Sequence, residues 1–192
     1  MDKIKKPIIS VENPFFKNNT RLDLCINRID INQAYCKEWH ITMEDFVSLT
    51  CNGELLKPVL YRIGGLNTLN LAKDRYIKLI KHVEAYYPKE ILEHSNNSDP
   101  KHLEGRWCIL DSKGVEKIEC KQFECPYIVK DSCIYSMDKK YYNIETKKLY
   151  CEASTAMEST SFLFLENRFD RDESKRGVLK INKVTGDFTL FN

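Results

Sequence analysis

Asp30 stands where an alternating stretch, RLDLCINRIDI, gives way to NQAYCKEW, whose apolar residues recur at helical spacing. A strand end is rigid and open to solvent, which makes it a common position for a functional carboxylate. The plainer role for Asp30 is to cap the helix that follows. A second group is basic. If residues 71–87 form a helix, Arg75, Lys78 and Lys81 fall on one face with His82 and Asp74. Such a face is either a solvated surface or a stripe that tracks phosphates. Cys120, Cys125 and Cys133 lie close in sequence, but no C-x-x-C pair and no paired histidine completes a zinc set. His94 and His102 border a polar loop and have no acid or thiol at a telling distance.

These residues need elements to position them. Residues 1–20, with Pro7 and Pro14, read as an extended arm. Leu22, Leu24 and Ile26 alternate as in a strand, and a phase slip at Asn27–Arg28 suggests a bulge. Ile31, Ala34, Tyr35 and Trp39 give a first short helix. Thr42 as N-cap, with Met43, Phe46, Val47 and Thr50 on one face, gives a second. The rival reading there makes Asn52–Gly53 the turn of a hairpin. The strongest helical pattern runs from Leu71 to Tyr87, with Ala72, Tyr76, Leu79, Ile80, Val83 and Tyr87 as its apolar stripe and Pro88 at its end.

From Arg106 the period changes to β, with turns at Ser112–Gly114, Asp138–Lys140, Thr146–Lys147 and Thr185–Gly186. Short similarities near positions 110, 144 and 181 read as ordinary hairpins rather than a repeat. The mixed charges between Glu166 and Arg176 read as a solvated loop. The expected fold is therefore α+β: an antiparallel sheet, one long packed helix, two short N-terminal helices and a β-rich C-terminal half. The expected organisation is an arm (1–20), a helix-rich half (21–104) and a hairpin-rich half (105–192), joined in one compact unit.

A chain of 192 residues with a net charge of +2 carries no global basic field, so any nucleic-acid surface is local. No apolar run is long enough to span a bilayer, and MDKIKKPIIS lacks the apolar core of a secretory signal. These features place the protein in the cytoplasm, where its eight cysteines would be reduced thiols packed as small hydrophobes.

DINQAY, residues 30–35, resembles the first palm motif of family B DNA polymerases and their phage relatives. In that family the aspartate holds catalytic magnesium and the tyrosine, five residues on, stacks under the incoming sugar. Lys57 to Gly65 is similar to the fingers motif, whose lysine contacts the triphosphate. YIVKDSCIY is similar to the third motif, a β-turn with two aspartates followed by serine, of which Asp131 and Ser132 match the second half. The resemblance implies Asp30 and Asp131 as ligands of magnesium, the one cofactor it admits, and Tyr35 and Lys57 as nucleotide contacts. Two-metal phosphoryl transfer would need the two acids on neighbouring strands of one sheet, clamping ions roughly 4 Å apart. Pro58 stands inside the fingers segment and Val129 where the first aspartate of the third motif belongs.

The expected function is a diverged, non-catalytic palm-like protein of a phage or mobile element that binds nucleic acid or nucleotide, with Arg75, Lys78 and Lys81 on the phosphates. The alternative is a protein-binding module of the immunity or anti-defence type, whose ten tyrosines and nine phenylalanines furnish an interface. Oligomeric state is not legible in the sequence.

Overall fold

The computed structural model describes residues 8–9, 24–30, 37, 46–51, 54–55, 61–62, 75–93, 100–168 and 170–192. Each described strand pairing is antiparallel, and the strands form three sheets. The first contains β1 (Ile8–Ile9), β2 (Leu24–Asp30), β3 (Phe46–Cys51), β5 (Tyr61–Arg62), β6 (Tyr76–Tyr86), β7 (Lys101–Asp111) and β8 (Glu116–Glu119) in that order, with β4 (Glu54–Leu55) paired to β3. The second is a meander of β9 (Tyr127–Ile128), β10 (Ile134–Met137), β11 (Lys140–Asn143) and β12 (Leu149–Glu152). The third repeats that layout with β13 (Thr155–Glu158), β14 (Phe162–Asn167), β15 (Gly177–Asn182) and β16 (Phe188–Phe191).

The α+β expectation is overturned. Among the described residues, helical structure amounts to Lys37, a short helix at Lys89–Glu93 and a 3-10 turn at Glu173–Lys175. The long helix expected over 71–87 contains β6 instead, an 11-residue strand paired along its whole length with β7, from Tyr76 opposite Asp111 to Tyr86 opposite Lys101. The cause is burial on both faces. Every residue from Tyr76 to His82 is buried. A strand covered on both sides loses its alternation, and Tyr76, Leu79, Ile80 and Val83 then mimic a helical stripe.

The second short helix is also a strand, β3. Its residue Cys51 faces Glu54 of β4, so the rival hairpin reading of Asn52–Gly53 holds. The register between β2 and β3 is unbroken through Asn27 and Arg28, without the expected bulge. The arm and the first short helix lie largely outside the described residues. The division expected at 104–105 falls inside β7, and Tyr76 and Ile109 share one core with Ile134, Ile144, Leu163 and Ile181.

The short similarities near 110, 144 and 181 prove to be three turns capped by their first side chain, of which those at Asn143 and Asn182 have the same bonding and that at Asp111 is one residue tighter. Asp111 Oδ1 accepts from the backbone N–H of Lys113 and Val115. Asn143 Oδ1 accepts from Glu145 and Thr146, and Asn182 Oδ1 from Val184 and Thr185, at 2.8–3.1 Å throughout. A short polar side chain that caps its own turn replaces ladder bonds the backbone cannot make there. Each turn ends on a residue in left-handed backbone: Gly114 (φ 78°), Lys147 (φ 59°) and Gly186 (φ 77°). Lysine is strained there and glycine is not. Lys147→Gly is therefore expected to stabilise the protein by about 0.5–1 kcal/mol, read as a higher urea midpoint. A lower midpoint would contradict this account of the turn.

Candidate ligand groove

The residues singled out by the sequence are dispersed. Asp30 ends β2, opposite Ile8. Asp131 lies in the turn between β9 and β10, in left-handed backbone (φ 54°). β2 belongs to the first sheet and the β9–β10 turn to the second, so the two acids do not stand on adjoining strands of one sheet as a two-acid clamp needs. Tyr35, Lys57 and His94 lie outside the described residues. Among the described residues no three His, Cys, Asp or Glu side chains gather as a metal cluster.

The basic stripe depended on a helix. Along a strand alternate side chains point to opposite faces, so Lys78 and Lys81, three apart on β6, cannot share one. Both are buried. Lys78 Nζ donates to Pro126 O at 2.7 Å and Cys125 Sγ at 3.4 Å, and sits 4.3 Å from the centre of the Trp107 ring. Arg75 Nη1 donates to Val184 O at 3.2 Å. His102 stacks on Tyr87 at 4.0 Å.

Lys81 Nζ bridges Glu116 and Glu119, each at 2.8 Å. Burial opposes its charge, but hydrogen bonds to the two carboxylates outweigh that and hold its pKa above the usual lysine range. Its hydrogen bond in turn lowers the pKa of Glu119. The raised lysine stabilises the fold at ordinary pH and loses this only as pH climbs through its elevated pKa. The lowered Glu119 stabilises above its unfolded value and loses this as pH falls through its depressed one. Lys81→Met keeps the stem but leaves two like charges facing each other. It should cost about 2 kcal/mol, below the range for fully buried pairs because both acids are a third or more exposed. The acid limb of the stability–pH curve, below about pH 4.5, should shallow in this variant. Unchanged chemical denaturation would contradict the arrangement.

Four of the five described thiols follow expectation; Cys125 is exposed. Cys108, Cys120, Cys133 and Cys151 are buried and unpaired. Burial is the main reason that the thiols of Cys108 and Cys120 are pushed up to about 12, and that of Cys151 to about 11.

The feature that sequence reasoning missed is a groove of about 670 Å³ between the second and third sheets. Leu149, Tyr150, Cys151 and Glu152, the whole of β12, line it. A cavity over one face of a strand would touch alternate residues only. This one therefore runs along the edge of β12, which pairs on its other side with β11 and is the last strand of its sheet. Leu179, Phe188 and Leu190 supply the apolar wall opposite. Tyr150 ties the two walls together. Its hydroxyl donates to Gly186 O at 2.8 Å and accepts from Asn143 Nδ2 at 2.9 Å, and its ring meets Phe188 edge-on at 5.7 Å.

The rim is cationic. Lys140, Lys148, Arg171 and Lys175 line it against two acids, Glu152 and Asp170. Asp170 is committed inward: it accepts from Asp172 N at 3.0 Å and from Asn167 Nδ2 at 3.3 Å, bonds that hold its carboxyl below the usual carboxylate range. Among the described residues Lys140 and Arg171 form no ion pair, and Lys148 Nζ lies 5.6 Å from the Phe188 ring centre.

The charged segment 166–176, read as a solvated loop, is what carries Arg171 and Lys175 to this rim. Buried Asn167 fixes it by donating to Lys175 O at 2.9 Å, and Arg176 Nε donates to Asp170 O at 2.9 Å. The signal available in the sequence was the shared Asn-x-x-Thr of the turns at Asn143 and Asn182, which marks two like hairpins able to stack.

No protein-family model, curated protein or solved structure matches the chain. No helix among the described residues is long and apolar enough to cross a membrane.

Proposed function

We propose that the chain is a protein-binding module that holds its partner in the groove between the two C-terminal meanders and performs no chemistry there. The observation that carries this reading is the edge of β12, which among the described residues has no strand partner beyond β11 and lies along an amphipathic cavity of a size that ligands fill. Leu149 and Phe188, 46% and 47% exposed on its two sides, are the apolar anchors of such an interface. Reduced, packed thiols suit the cytoplasm as its compartment.

The test is a pull-down with the intact chain and with a Leu149→Asp, Phe188→Asp double variant that melts like the parent. A partner held by the parent and lost by the variant supports the reading; a partner held equally by both contradicts it. Lys148 beside the Phe188 ring, with the other cations of the rim, favours a second reading, binding of nucleic acid or nucleotide through phosphate and base. Gel shifts with single- and double-stranded DNA at low and moderate salt test that one, and no shift at low salt counts against it.

A further inference from the structure

We infer that the occupant of the groove is an extended acidic peptide segment, which adds as a further strand to the free edge of β12. This rests on the binding-module reading and specifies its partner. Two observations point the same way. First, an unpaired strand edge offers backbone N–H and C=O groups in a row, and an extended chain is the ligand that satisfies them in register. All four residues of β12 border the cavity; Leu149 and Glu152 are exposed, Tyr150 is half-buried and Cys151 is buried, so the edge is reached from both ends of the strand.

Second, the rim carries more cations than acids. Lys140, Lys148, Arg171 and Lys175 line it against Glu152, which stands opposite Lys140 in the ladder, and Asp170, which spends its oxygens on Asp172 N and Asn167. Alternate residues of an added strand face opposite ways. A segment that alternates acidic and apolar residues would set its carboxylates toward these cations and its apolar side chains toward Leu179, Leu190 and Phe188.

The probe is a fluorescein-labelled eight-residue peptide of alternating glutamate and leucine, with binding to the full chain read by anisotropy. The proposal expects saturable binding that weakens with salt. It expects a loss of about tenfold or more in K140E/R171E, with a smaller loss in K140Q/R171Q to show that charge rather than misfolding is responsible. It also expects loss of binding when alternate backbone nitrogens of the peptide are methylated, because that removes strand pairing and leaves the side chains intact.

Equal binding of the methylated peptide, equal binding of a lysine–leucine peptide, or preferential binding of oligothymidylate would each overturn the proposal. The Leu149→Asp, Phe188→Asp variant separates the two levels. If a partner's binding depends on these anchors yet ignores rim charge and methylation, the acidic-strand inference fails while the groove reading stands. If no binding depends on the anchors, both fall.

Discussion

Gly186→Ala is expected to destabilise the protein by about 4 kcal/mol, a large part of the stability of an ordinary domain. Gly186 closes the third of the like turns with φ 77°. Its carbonyl accepts the Tyr150 hydroxyl. A Cβ there would come within 2.8 Å of that hydroxyl oxygen and 3.2 Å of Cys133 Sγ, and would also run into Asn143 Nδ2. Left-handed backbone alone costs an alanine about 1–2 kcal/mol. That part is tolerable, since Lys147 occupies the same place in the middle turn.

The remainder of the cost comes from displacing Asn143 and Tyr150, whose hydrogen bonds are worth about 1 kcal/mol each; that of Tyr150 to Gly186 O joins the second sheet to the third. Equilibrium urea denaturation of the two proteins measures it. A loss near 1 kcal/mol would mean that the turns are not packed together as described.

Asn143→Ala should be the next most costly single change, at about 3 kcal/mol, against about 1 kcal/mol for Asn182→Ala. The two asparagines cap the same kind of turn with the same pair of backbone donors. They differ in surroundings. Asn143 is buried, and its Nδ2 also donates to Tyr150 Oη at 2.9 Å and faces Cys133 Sγ at 3.7 Å. Removing it leaves two part-buried backbone N–H groups without their acceptor and Tyr150 Oη without its donor, beside the core, where water replaces them less readily. At Asn182 water does so readily. Denaturation of both variants under the same conditions decides the point: equal losses would show that burial adds nothing.

The C-terminal half was legible because its turns carry their own chemistry. Asp111, Asn143 and Asn182 with their following polar residues announce hairpins locally. The N-terminal half was not, because β6 is buried on both faces and its apolar spacing fits a helix as well as a strand. Lys78 and Lys81 deepened the error. In a helix they mark a solvated face, whereas here a carbonyl with an aromatic ring satisfies one and a pair of glutamates the other. At Asn52–Gly53 the helix is the preferred reading of the sequence and the hairpin its rival; the pairing of Cys51 with Glu54 favours the rival. The groove was invisible because no segment contains it. It arises from two hairpins that stack and from a charged loop that Asn167 pins, a contact the local pattern does not encode.

Hydrogen exchange at the amides of Leu149–Glu152 tests the central claim most directly, with and without a saturating amount of the glutamate–leucine peptide. The account predicts that exchange along β12 slows by about tenfold or more as its edge gains a partner, while Tyr127–Ile128, at the opposite edge of the same sheet, is unchanged. Unaltered exchange along β12, or protection that appears at the opposite edge instead, would contradict it.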